Sequence, residues 1–174
     1  LRRRAAQSGA LIAVLLEFPE DLGAAKVGDP SSIFQLNLCK DLLAAFEVTR
    51  GAFHQCALQP GLGYPKPTGL ITSIASMIAD EVFHVGLASF SRGVQGQRVY
   101  AGPLPGTCGH HHRGLKGKKP NGDFMTQGTG AYPAGVCEWL AKHVFLDFVG
   151  QCRAPPAPVS LQGGLSGPHP APNR

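Results

Sequence analysis

The chain has 174 residues, 43% apolar and 16% charged, with a formal net charge of +5. That length suits one domain with a core of its own. The five cysteines, Cys39, Cys56, Cys108, Cys137 and Cys152, are odd in number and irregularly spaced. They exclude a disulfide framework and point to a reducing, intracellular location, nuclear if the target is DNA.

The chain opens at Leu1 rather than Met, with Arg2, Arg3 and Arg4. This reads as a processed start or as a piece of a longer product, with residues 1–10 as a basic leader. The apolar run after it, Leu11 to Leu16, ends on Glu17-Phe18-Pro19-Glu20-Asp21 with no small-residue cleavage site, which argues against a signal peptide. It is also too short to span a bilayer, so no membrane partner is expected. An unbroken apolar run suits a strand buried on both faces of a parallel sheet. Ligands of open α/β sheets bind at the carboxyl ends of such strands. Glu17 is therefore expected at the end of a central parallel strand, facing a concave surface. The plainer reading is a strand that ends in a solvated acid.

A polar connection follows, and Ser31 or Ser32 can cap a helix over residues 33–46. Thr49-Arg50-Gly51 reads as its break, residues 52–58 as a second strand and residues 59–67 as loop. Residues 68–72 read as a third strand and residues 74–83 as a short helix. From Gly86 to Gly130 no period is visible. Pro133 suits a first helical turn, and an apolar stripe then runs to about Val149, closed by Gly150. Cys137 reads as a small core residue of that helix. Residues 151–174, rich in proline and glycine, read as a disordered tail.

Five short motifs stand in order. They are Glu17-Phe18-Pro19; Phe53-His54-Gln55-Cys56; Tyr64-Pro65-Lys66-Pro67-Thr68; Cys108 with His112-Arg113-Gly114-Leu115-Lys116-Gly117; and Thr126 to Ala131-Tyr132-Pro133 with Val136-Cys137. The series resembles the back half of a cytosine carbon-5 methyltransferase-like domain, of the divergent kind found in phages and protist retroelement polyproteins. The resemblance spans about residues 11–141. It implies an incomplete Rossmann-like methyltransferase-type α/β sheet with flanking helices over residues 11–150, and a mobile-element origin. It also implies that Glu17 is the catalytic acid that binds the ring of a flipped cytosine. Pro19, Lys66, Pro67 and Thr68 would be structural motif positions. Phe18 stands where the family has asparagine. The nucleophilic cysteine and the glycine-rich S-adenosylmethionine loop belong upstream of Glu17, where this chain has neither. No cofactor is therefore expected to bind this chain alone, and no catalysis of its own is expected.

The alternative is a basic nucleic-acid-binding module. Arg98, Arg113, Lys116, Lys118 and Lys119 would meet DNA or RNA phosphates. The plainer cause of such charge is a solvated surface. Cys108-Gly109-His110-His111-His112 carries ligands that zinc accepts, and His54, Cys56 and Cys137 could add to them. Without a Cys-x-x-Cys pair the segment reads first as a polar loop, and no residue is assigned to a metal. A third reading is a remnant with no selected function.

Overall fold

The computed structural model describes residues 13–23, 32–45, 47–113, 117–125 and 127–153. The expected basic leader, Lys116 and residues 154–174 of the expected tail lie outside them. Six strands are described: β1 (Leu15–Pro19), β2 (Thr49–His54), β3 (Pro67–Thr72), β4 (His84–Val85), β5 (Ser89–Arg92) and β6 (Arg98–Gly102). The helices are α1 (Asn37–Ala45), α2 (Gln55–Leu58), α3 (Ala75–Ile78) and α4 (Ala134–Arg153), and a 3-10 turn covers Ile33–Gln35. Among the described residues no helix is long and apolar enough to cross a membrane.

Helix and sheet are mixed, as expected, but the pairing is not. A four-stranded sheet runs in the order β1-β3-β2-β4 and a separate hairpin joins β5 to β6. Every pairing is antiparallel. The expected central parallel strand is instead an edge: among the described residues β1 pairs only with β3, with Glu17 opposite Leu70. Glu17 lies mid-strand, not beyond a carboxyl end. Leu15 is 42% exposed, so the apolar run does not bury both faces. The strands that are buried are β2 and β3, from Arg50 to Phe53 and from Thr68 to Thr72.

The core joins β2 and β3 to the helices. Phe53, Leu70, Ile74, Met77, Phe83, Val136 and Trp139 form one cluster, with the Phe53 and Trp139 rings 5.2 Å apart between centroids. Burying a side chain of this size stabilises by about 1.5–3 kcal/mol. A Cβ on Gly135 would sit 2.0 Å from the Leu58 carbonyl oxygen, so glycine there lets α4 rest directly on α2. Farther along, His143 is 3% exposed. It fastens α4 through Nδ1 to Ser76 Oγ (3.0 Å) and through Nε2 to Asp80 Oδ2 (3.1 Å).

Other expectations shift for local reasons. Ser32 does cap, accepting the Phe34 N–H at 3.3 Å, but the expected helix over 33–46 breaks at Leu36, whose ψ of 142° is extended. Thr49-Arg50-Gly51 opens β2 rather than breaking the chain, and Gln55–Leu58 turns as helix rather than continuing the strand. The stretch without visible period contains the β5–β6 hairpin. Gly150 does not close the last helix, which runs to Arg153. Nothing lies within 4 Å of a Cβ placed on it.

Candidate metal centre

Four side chains converge where β2 ends. Cys56 sits on α2, directly after the strand. Cys108, His110 and His112 come from the loop that follows β6. One ligand atom from each can be chosen so that all four lie within 4.8 Å of one another. Cys108 Sγ is 3.0 Å from His112 Nε2. Tetrahedral zinc with Zn–S of about 2.3 Å and Zn–N of about 2.1 Å sets its ligand atoms roughly 3.3–3.8 Å apart. The cluster therefore needs only small shifts to close on an ion, with Cys108 and His112 moving slightly apart and the longer separations shrinking.

The backbone explains why these four meet. Antiparallel β2 and β3 bring the residues after His54 beside those before Pro67, with Gln55 N–H bonded to the Lys66 carbonyl at 3.3 Å. The loop after β6 is tied to the same place, because Arg113 N–H donates to the Gly63 carbonyl at 3.1 Å. Gly109 takes a φ of +77°, a left-handed turn that reverses the chain between Cys108 and His110 at little cost. A cleft of about 440 Å³ remains beside the cluster, lined by Cys56, Leu62, Gly63, His110, His111 and His112.

A bound cation would change the charge balance of the cluster. Burial, with the neighbouring Cys108 thiol adding to it, pushes the Cys56 thiol up to about 12. Two thiolates cannot share this pocket without a positive charge between them. His112 Nδ1 is buried with no hydrogen-bond partner, a costly state for a polar atom. Cys2His2 is a donor set that closes the shell of a structural zinc. The residues present thus fit a zinc ion, which the sequence reading of 108–112 as a polar loop did not assign. His54 is not one of the four. It lines a second cleft beside Cys108 with Glu81 and His84, and burial lowers its pKa. Cys137 is exposed on α4, neither a ligand in this cluster nor the core residue expected.

The structure also brings together residues from four of the five motifs. Tyr132 OH donates to Glu17 Oε2. Lys66 Nζ lies 5.2 Å from the Tyr132 ring centroid and donates to the Thr129 carbonyl at 2.7 Å. Lys66 is the one non-glycine residue with positive φ (+36°) among the described residues. Pro19 pairs in register with Thr68. Pro67 opens β3, and Thr68 Oγ1 accepts from Gln55 Nε2 at 3.0 Å.

The basic residues divide. Arg98 lies on β6, its guanidinium 4.1 Å from the Phe90 ring centroid. Arg113 follows the last metal-ligand candidate. Lys118 bridges to Phe124, and Lys119 N–H donates to the Asp123 carbonyl at 2.7 Å.

Sequence reasoning missed a buried ionic cluster. Glu20, three residues beyond Glu17, is 6% exposed. It accepts from Arg50 Nη2 and, at 2.7 Å, from Tyr100 OH. Arg50 Nη1 donates to the Gly86 carbonyl at 2.8 Å. Burial raises the Glu20 pKa despite both partners. Among the described residues the acids that the fold encloses are Glu20 and Asp21, with Glu17 left half-exposed on the edge strand. No protein family, curated protein or solved structure matches this chain.

Proposed function

We propose that the chain is a zinc-stapled nucleic-acid-binding module of the intracellular compartment. The observation that carries this reading is the convergence of Cys56, Cys108, His110 and His112 immediately before Arg113. A zinc ion there would tie a long loop to the sheet and hold the following segment, with Lys118 and Lys119, in one arrangement. When bound, the ion supplies structural cross-linking; the chain's own residues do the binding. Arg113, Lys118 and Lys119 are exposed or half-exposed and can pair with phosphates, which gives affinity without sequence choice. Lys116 and Arg98 would add to the same field.

Mobility-shift titrations at two salt concentrations test this. The zinc-loaded chain should bind duplex DNA and single-stranded RNA weakly, and affinity should fall steeply with salt. Replacing Arg113, Lys118 and Lys119 with alanine should lower the log–log slope by about 0.9 for each duplex phosphate that is no longer neutralised. A parent that does not bind at low salt, or a triple variant that binds like the parent, contradicts the reading.

A second reading is a mobile-element-derived, incomplete methyltransferase-like domain without catalysis of its own. The meeting of Glu17, Lys66 and Tyr132 supports it, since all three stand in motifs that carry the resemblance. The antiparallel sheet weighs against a Rossmann-like identity, because it lacks the row of parallel strand ends at which such sheets bind their ligands. Calorimetric titration with S-adenosylmethionine discriminates. This second reading predicts no saturable binding by the chain alone, and micromolar binding contradicts it.

A further inference from the structure

The two sulfurs of the cluster differ in access. Cys56 is 3% exposed on α2. Cys108 is half-buried and lines a cleft of about 280 Å³ with His54, Glu81, His84 and Thr107, roomy enough for a molecule as small as hydrogen peroxide. The two Sγ atoms lie within 4.8 Å of each other. Gly106 and Gly109 flank Cys108, and open space surrounds the Cβ position of both. The turn that carries Cys108 is therefore free to close the remaining gap to a disulfide, whose sulfurs lie about 2.0 Å apart. The other cysteines stand elsewhere. Cys39 is buried on α1 and outside the cluster. Cys137 and Cys152 are exposed on α4, about 22 Å apart along the helix and unable to pair with each other within one chain.

We propose that Cys108 is a site of oxidation by peroxide, and that Cys56 resolves it as an intramolecular disulfide that dismantles the metal centre. The release of metal rests on the zinc reading; the disulfide rests on the two sulfurs alone. With zinc bound, both sulfurs are thiolates. The Cys108 thiolate attacks a peroxide oxygen: a sulfur–oxygen bond forms, the oxygen–oxygen bond breaks and hydroxide leaves. The Cys56 thiolate then attacks the sulfenic sulfur: the disulfide forms and a second hydroxide leaves. The two sulfurs together lose two electrons, and the peroxide gains them. A disulfide offers no thiolate to a metal, and His110 and His112 are left as two ligands of four. The loop after β6 stays tied to α2, because the new bond joins the same two residues that the ion would join. Oxidation thus empties the site without freeing the loop.

Mass spectrometry of the full zinc-loaded chain tests the proposal, in a Cys137→Ser, Cys152→Ser background that removes the exposed thiols of α4. Equimolar hydrogen peroxide should lower the mass of the denatured, metal-free chain by about 2 Da, the two hydrogens lost on forming one disulfide. Proteolytic fragments should show Cys56 joined to Cys108. A colour-forming chelator should take up one zinc for each disulfide formed, and dithiothreitol should restore both thiols and zinc binding. The oxidised chain should denature at a higher midpoint than the reduced chain stripped of zinc, because the disulfide closes the same loop. Cys56→Ser should instead let Cys108 proceed to sulfinic acid, a gain of about 32 Da. A disulfide that uses Cys39 overturns the proposal, as does sulfinic Cys108 in the parent without a disulfide, or zinc that stays bound while the disulfide forms. A chain that holds no zinc beforehand overturns the metal reading and the release with it, while the mass loss and the fragment map still decide the disulfide.

Discussion

At the scale of single residues, chemistry was legible where it is local and hidden where it is not. Cys108, His110 and His112 stand close enough in sequence to be weighed together as zinc donors, although the segment reads first as a polar loop. That Cys56 lies beside them does not show in the sequence, because 52 positions separate it from Cys108 and only the fold brings it there. Glu17 drew attention because it ends an apolar run. The fold buries Glu20 instead, since Arg50 and Tyr100 reach it. Glu20→Ala leaves the Arg50 guanidinium buried and unpaired, and should cost about 3–5 kcal/mol in urea unfolding. A loss well under 1 kcal/mol would show that the pair is solvated. The Cys56 thiol, pushed up to about 12 by burial, must give up its proton to bind zinc. Zinc affinity should therefore rise with pH, at least tenfold per unit between about pH 6 and 8. Competition against a chelator across that range measures this, and a flat profile would remove Cys56 from the ligand set.

At the scale of elements, the buried strand β3 and the final helix were legible because their apolar patterns are strong. The hairpin of β5 and β6 was not. Its strands are short and largely exposed, so no alternation of buried and solvated positions marks them. The pairing direction of β1 was also hidden, since an apolar run gives burial but not orientation. Contact between α2 and α4 depends on Gly135. Gly135→Ala puts a methyl group against the Leu58 backbone and should destabilise by about 1–3 kcal/mol, read as a lower denaturation midpoint. Because α2 carries Cys56, zinc affinity should weaken in the same variant. An alanine variant as stable as the parent would mean that the helices separate without cost. Where α4 meets α3, burial alone would raise Asp80, but the Val82 amide and His143 are among the groups that outweigh it and hold its pKa low. A lowered carboxyl stabilises the fold above its ordinary range, and that contribution is lost as pH falls below about 4. Asp80→Asn should flatten the acid limb of the stability curve; an unchanged limb would place the acid sensitivity elsewhere.

At the scale of the whole molecule, the core is one cluster between a small antiparallel sheet and helices, and long loops carry much of the remaining chain. Loops of this length gain from a cross-link that constrains them when unfolded. A metal joining Cys56 to the loop after β6 would close more than fifty residues. The mixed helix and sheet class was legible from the strength of the apolar patterns. The cluster of Cys56, Cys108, His110 and His112 was not, because it forms only once distant segments have met. The central claim is therefore the zinc itself. X-ray absorption at the zinc edge, on the chain purified with one equivalent of zinc, measures it most directly. The account predicts one tightly held ion per chain with two sulfur and two nitrogen ligands, and loss of one sulfur in Cys56→Ser. Zinc that washes out of the parent chain, or a shell of oxygen and nitrogen alone, would contradict it.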